Sequence, residues 1–210
     1  MINLDLRQGI LASLSDLEAG DLVLVGLSGG ADSLSLLKCA LHVGGERTIS
    51  VGAVIIDHQL QAESANTSNR VAGIARELGA DPVLVINVDV AKGASSGGME
   101  AAARNARRIA FNNVLTEHNA KAILLGHTLE DQGETVLLGL ARGSGARSLS
   151  GMRAKEGIYR RPFLGITRQI VRDEVADLDV FEDPHNRDPK YSRVRVRNLV
   201  LPVMETQLGP

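Results

Sequence analysis

Leu22-Val23-Leu24-Val25-Gly26-Leu27-Ser28-Gly29-Gly30-Ala31-Asp32-Ser33 joins an apolar run to a helix-like run, Leu34 to Leu41, and its reading decides the fold. A glycine pair at such a junction lets the backbone turn tightly and aim several N–H groups at one anion. Together with the Ser28 and Ser33 hydroxyls and the positive end of the following helix, Leu27 through Ser33 predicts a phosphate cradle. It is not the Walker loop, which needs Gly, four residues, then Gly-Lys-Ser/Thr, because Lys38 lies too far along to be that lysine. Nor is it the dinucleotide fingerprint Gly-x-Gly-x-x-Gly. A plain strand-to-helix turn capped by Ser28 or Asp32 would use the same residues for structure alone.

The chain has 210 residues, 44% hydrophobic and 23% charged, which suits a globular protein with a substantial core. No apolar run approaches the ~20 residues of a membrane span, and Met1-Ile2-Asn3-Leu4-Asp5 lacks a basic region followed by an apolar core. A cytoplasmic protein with no membrane partner is therefore expected. The single cysteine, Cys39, excludes an internal disulfide and a Cys-pair metal or redox site, and its helical position predicts core packing. Charge is uneven. Residues 1–152 hold 12 basic and 16 acidic residues, net -4, whereas 153–210 hold 11 and 9, net +2. Within that tail Arg187, Lys190, Arg193, Arg195 and Arg197 face only Asp188, a concentration that fits phosphate contact as well as a solvated surface.

Apolar and helical runs alternate along the chain. Strands are predicted at Leu22–Leu27, Ile49–Ile56, Pro82–Ile86 and Ala122–Gly126, each apolar on both faces as buried parallel strands are. Helices are predicted near Leu4–Ala19, Ser33–Val43, Ser64–Leu78, Met99–Asn119 and Glu130–Leu140. The alternation implies an α/β fold, a doubly wound, mainly parallel sheet with helices on both faces, in which ligands bind at the carboxyl ends of strands. Three polar clusters fall there: Ser28 onward, Asp57-His58, and His127 onward. The Gly- and Ser-rich stretch Lys92 to Gly98 reads as a linker or a lid. After Met152 the alternation ends, so residues 1–152 are expected to form the catalytic domain and 153–210 an extension that completes it, with a helix at Thr167–Asp177. The number of subunits stays open, a homodimer included.

Gly126-His127-Thr128-Leu129-Glu130-Asp131-Gln132-Gly133-Glu134-Thr135 follows a strand directly. If Glu130 opens a helix, Asp131 and Glu134 share a face, with His127 and Thr128 in the turn before it. Acids at a helix N-terminus can be simple caps. They can also hold a cationic amine or Mg2+, with His127 on nucleotide phosphate. The run lacks the His-Glu-x-x-His spacing of a metallohydrolase.

The hexapeptide Ser28–Ser33 resembles the pyrophosphate loop, Ser-Gly-Gly-x-Asp-Ser, of the N-type ATP pyrophosphatase superfamily. Gly126 through Thr135, taken with Arg142-Gly143-Ser144-Gly145 through Met152, looks like the signature of the tRNA(Ile)-lysidine synthetase family. Asp57-His58, Glu100 through Arg107, Arg161-Pro162-Phe163-Leu164, Glu182 through Asn186, Tyr191 through Arg197, and Leu201-Pro202 extend the likeness over nearly the whole chain. Glu130 stands where the family usually has Asp, and Val194 where Asn is usual. The family commonly continues into a further tRNA-binding region, so a chain ending at Pro210 is expected to be a truncated or minimal form.

The resemblance implies an adenine nucleotide alpha hydrolase-like fold and a ligase. It would turn the wobble cytidine of isoleucine tRNA with a CAU anticodon into lysidine, by adenylating the base C2 oxygen and letting free L-lysine attack, with release of AMP and pyrophosphate. ATP would lie on Leu27, Ser28, Gly29, Gly30, Asp32, Ser33, Asp57, His58 and His127, with Mg2+ near Asp32. Asp32, Asp131, Glu134 and Arg107 would be catalytic. Lysine and tRNA would meet Glu100, Arg104, Arg107, Asp131, Glu134, Arg193, Arg195 and Arg197, the last three sharing one side of an extended segment. A tRNA thiolase and a non-catalytic nucleotide-binding module are the rival readings; the first normally relies on cysteines to carry sulfur.

Overall fold

The computed structural model describes residues 2–57, 59, 64–88, 98–143, 149–178, 180 and 188–209, with backbone alone for 98–101. His58, the loop from Lys92, the Glu100 side chain, and Glu182 through Arg187 therefore lie outside the described residues.

Chain order gives α1 (Leu4–Ser13), β1 (Leu22–Gly26), α2 (Ala31–Arg47), β2 (Ser50–Asp57), α3 (Ser64–Glu77), β3 (Val83–Asn87), α4 (Gly98–Glu117), β4 (Ala122–Leu124) and α5 (Leu129–Ala141). The short strands β5 (Lys155–Glu156) and β6 (Tyr159–Arg160) follow, then α6 (Arg168–Asp173). Last come α7 (Ser192–Arg195), a π-helical turn Val196–Val200, and α8 (Leu201–Leu208). The strands lie in the order β3-β2-β1-β4-β6-β5, all parallel except the hairpin partner β5. This is the doubly wound parallel sheet expected from the alternation.

Both faces are covered because the strands are apolar on both. On one side Leu6 and Ile10 of α1, Leu34 and Leu37 of α2, Val71 of α3 and Val171 of α6 pack with Val23, Val25 and Ala53. On the other, Phe111 and Val114 of α4 meet Leu24, Val54 and Ile123. Asn3 starts α1 by accepting the Asp5 N–H at 2.9 Å. Cys39 is buried in the first cluster, and burial pushes its thiol pKa up to about 12, in line with core packing.

Residues after Met152 do more than trail from the sheet. β6 pairs in parallel with β4, and Arg160 reaches under the sheet to the Ser13 carbonyl and the Asp16 carboxylate. The tail arginines require a correction. Residues 192–208 are helical, so Arg193, Arg195 and Arg197 do not share one side as an extended segment would arrange them. The alternation of arginines is overridden by Val194, Arg197 and Leu201, three and then four residues apart. Val194 is buried, Arg197 bonds to α5, and Leu201 lies against Gly133.

Candidate active site

β1 is flanked by β2 and β4, so the chain's direction of winding reverses at the β1/β4 crevice. The phosphate-loop candidate opens there. Leu27 is buried and its N–H continues the sheet by donating to the Val54 carbonyl at 2.9 Å. Gly29 has φ +83°, a conformation that favours glycine, and Gly30 caps α2 with extended backbone. The first-turn amides of α2 have no intrahelical acceptor and are available to an anion. Ser33 is used differently from the expectation. It is buried, and its Oγ donates to the Gly30 carbonyl at 2.9 Å and accepts the Ser28 N–H at 3.2 Å, so it braces the loop from within. Ser28 is the exposed hydroxyl.

Gly126 closes the crevice against this loop. A Cβ there would lie 2.7 Å from the Asp32 carbonyl oxygen, which explains a glycine where β4 hands over to the second polar cluster. Thr128 then caps α5. Its N–H donates to Asp131 Oδ2 at 2.9 Å, so the capping role weighed for Asp131 is real and occupies one of its oxygens.

The other oxygen belongs to a charge cluster. Asp131 Oδ1 accepts Arg168 Nη2 at 2.8 Å and lies 3.5 Å from Arg197 Nη2. Glu134, 0% exposed, receives Arg197 Nε on Oε1 at 2.6 Å, while its Oε2 is buried with no hydrogen bond among the described residues. Asp32 joins from α2, with Oδ2 3.5 Å from Arg168 Nε and Oδ1 buried without a hydrogen bond. Burial drives the Asp32 carboxyl pKa upward, Arg168 opposes this, and the neighbouring Asp131 charge adds to the rise. Asp32, Asp131 and Glu134, named from sequence, thus meet in one cluster. Arg197 meets them too, as their ion-pair partner, which removes it from a free basic face.

His127 sits between the loop and this cluster with Nδ1 buried and unpaired among the described residues. Burial lowers its pKa to about 4, the Asp131 charge opposing and Arg161, Arg107 and Arg193 adding to the fall. The imidazole is neutral at pH 7, with cations gathered around it. Arg104 and Arg107 are exposed on α4, and Arg193 is exposed on α7, its Nη2 3.4 Å from Thr135 Oγ1. Arg195 instead folds back on the Pro189 and Lys190 carbonyls. Asp57, at the end of β2, is buried and accepts the Gln59 N–H at 2.8 Å, so its described contact is local.

Arg168 and Arg172 escaped the sequence reading. Arg172 Nε lies 3.9 Å from Asp32 Oδ1. Two cations one turn apart at the start of a predicted helix were the available signal. Glu130 escaped as well: both its oxygens accept the Arg168 backbone N–H at 2.9 Å, tying α5 to the first residue of α6.

Comparison with known proteins agrees with this geometry. The sequence profile of the PP-loop domain matches residues 5–204. A relative from Thermobifida fusca named tRNA(Ile)-lysidine synthase is 50% identical over 207 residues, 97% of this chain and 63% of that protein. One of the same name from Leifsonia xyli is 52% identical over 196 residues, 92% of this chain and 58% of that protein. The chain thus spans about three fifths of the length of these relatives. Among solved structures, the U34-tRNA thiolase NcsA of Methanococcus maripaludis with its 4Fe-4S cluster superposes with a TM-score of 0.76, covering 98% of this chain and 73% of that one. At 16% identity that likeness speaks for the fold. With the glycine loop at the switch of the sheet and a matching profile over almost the whole chain, this protein belongs to the PP-loop domain family.

Proposed function

We propose that the protein converts the wobble cytidine of isoleucine tRNA with a CAU anticodon to lysidine, using ATP and free L-lysine and releasing AMP and pyrophosphate. One observation carries the reading. The anion cradle of β1 and the buried carboxylates of α5 meet at one crevice, where Asp32 belongs to both. The names of the relatives and the ATP-using character of the PP-loop family support it. Such tRNA modification fits a cytoplasmic enzyme.

The first-turn amides of α2 and the Ser28 hydroxyl would receive the β- and γ-phosphates and meet the charge that grows on departing pyrophosphate. Mg2+ fits as a companion of the triphosphate. It commonly takes one or two carboxylates together with phosphate oxygens, and Asp32 offers a buried oxygen without a partner. The ion would supply charge neutralisation on the phosphates. His127, neutral near pH 7, would bind phosphate by hydrogen bonding without adding a charge. Asp131 and Glu134 would receive the lysine ε-ammonium, and Glu134 Oε2 is the oxygen free to take its proton before the amine attacks C2. Arg107 and Arg193, exposed beside His127, would meet tRNA phosphates or the AMP leaving group.

Cys39 bears on the thiolase alternative. It is the chain's single cysteine, buried, with a thiol pKa raised to about 12, so it supplies no reactive sulfur. The deciding experiment incubates the protein with ATP, Mg2+, labelled lysine and isoleucine tRNA. Label in the RNA, dependent on ATP, is the expected result; AMP release without label in RNA would overturn the reading.

A further inference from the structure

Among the described residues Arg168 is the cation that contacts all three carboxylates. Its Nε lies 3.5 Å from Asp32 Oδ2, and its Nη2 lies 2.8 Å from Asp131 Oδ1 and 3.8 Å from Glu134 Oε1. The side chain is only 11% exposed, and the residue is held from behind by the two Glu130 oxygens on its N–H. Arg197 is the second guanidinium, bound to Glu134 and near Asp131. Arg172 approaches Asp32 at 3.9 Å without a hydrogen bond, and its side chain is 53% exposed, so solvent screens it.

Three carboxylates and two well-seated guanidinium groups leave one net negative charge. Two buried oxygens, Asp32 Oδ1 and Glu134 Oε2, have no hydrogen-bond partner among the described residues. Buried charge is costly unless paired, so such a cluster is completed by one unit of positive charge. A divalent ion would exceed that unit and face two guanidinium groups at close range. We propose that Arg168 is a specificity-determining residue: it holds the cluster one positive charge short, so that the site takes a single monovalent ammonium group and rejects a divalent metal ion. This rests on the reading of Asp131 and Glu134 as the lysine site. Mg2+ carried on a triphosphate brings the compensating phosphate charge with it, so the test is made without nucleotide.

Mn2+ binding to the nucleotide-free protein, followed by its electron paramagnetic resonance signal, reads the charge directly. Arg168→Gln should bind Mn2+ at least tenfold more tightly than the unaltered protein, and Arg168→Lys, which keeps the charge, should not. Arg197→Gln removes the same unit of charge from a more exposed side chain and should also tighten binding. Equal Mn2+ affinity in Arg168→Gln and the unaltered protein overturns the proposal. If Arg168→Gln does not fold, unchanged affinity in Arg197→Gln or tightened affinity in Arg168→Lys overturns it instead. The labelled-lysine assay separates the two readings. Label in RNA with no Mn2+ effect defeats the charge count alone, whereas the Mn2+ pattern without label defeats the lysidine reading and leaves the charge count standing.

Discussion

Glu134 is the most deeply buried acid of the crevice, and its Oε1 is bound to Arg197. Replacing it by Gln keeps the shape and removes the charge, a cleaner change than Asp131→Asn, which also disturbs the cap on Thr128. Loss of a hydrogen bond to a charged group costs about 1.5–3 kcal/mol, so Glu134→Gln should raise the lysine concentration needed for half-maximal rate roughly ten- to a hundredfold. ATP affinity, measured by calorimetry, should stay near its original value; an equal loss of both would assign the acid to the nucleotide. His127 makes a prediction about pH. Its folded pKa of about 4 lies below the ordinary 6.5, so the unfolded chain binds the extra proton first. The stability this contributes is complete above about pH 6.5 and is lost as pH falls toward 4. Denaturant titrations should show that decline, and His127→Gln should flatten it. The Asp16 carboxylate, held far below its ordinary range by hydrogen bonds from Arg160 and Lys155, adds its own loss only at still lower pH.

α6 lies along α2 and is fastened to it near both ends. Arg168 and Arg172 reach Asp32 at the start of α2, and Lys38 Nζ, further along, donates to the Glu174 carbonyl at 2.6 Å. The lysine too distant to serve a Walker loop is a strut instead. Because α6 is only six residues long and cannot hold helical structure alone, its order depends on these ties. ATP binding at the loop should therefore slow hydrogen exchange in α6 as well as in α2. Protection confined to α2 would show that the two helices answer separately. The helix at 192–208 teaches why its sequence was misread. Alternating arginines mimic a strand, and the competing pattern needs Val194, Arg197 and Leu201 to be weighed against a partner helix, α5, that local sequence does not name.

Across the whole molecule, the central strands were legible because each is a short apolar run ending in polar residues, and the loop because its glycines sit where β1 stops. Asp32, Asp131 and Glu134 were legible as residue types at strand ends. Their arginine partners were not, since Arg168 and Arg197 arrive from 37 and 66 positions beyond Asp131. β5 and β6 were hidden by their length of two residues each. The division of cations between pairing and exposure sets the expectation for RNA. Arg107→Ala and Arg193→Ala should each flatten the slope of log affinity against log salt by about 0.7–0.9 if each touches one phosphate. Arg197→Ala should lower thermal stability and leave that slope unchanged; a flattened slope there would return Arg197 to the RNA surface. The sheet's far margin carries one more consequence. β5 ends the sheet with two exposed charged residues, Lys155 and Glu156, and Lys155 is bound to Asp16. An edge so short and so charged offers no template on which another chain could add a strand, so this margin resists aggregation by its geometry.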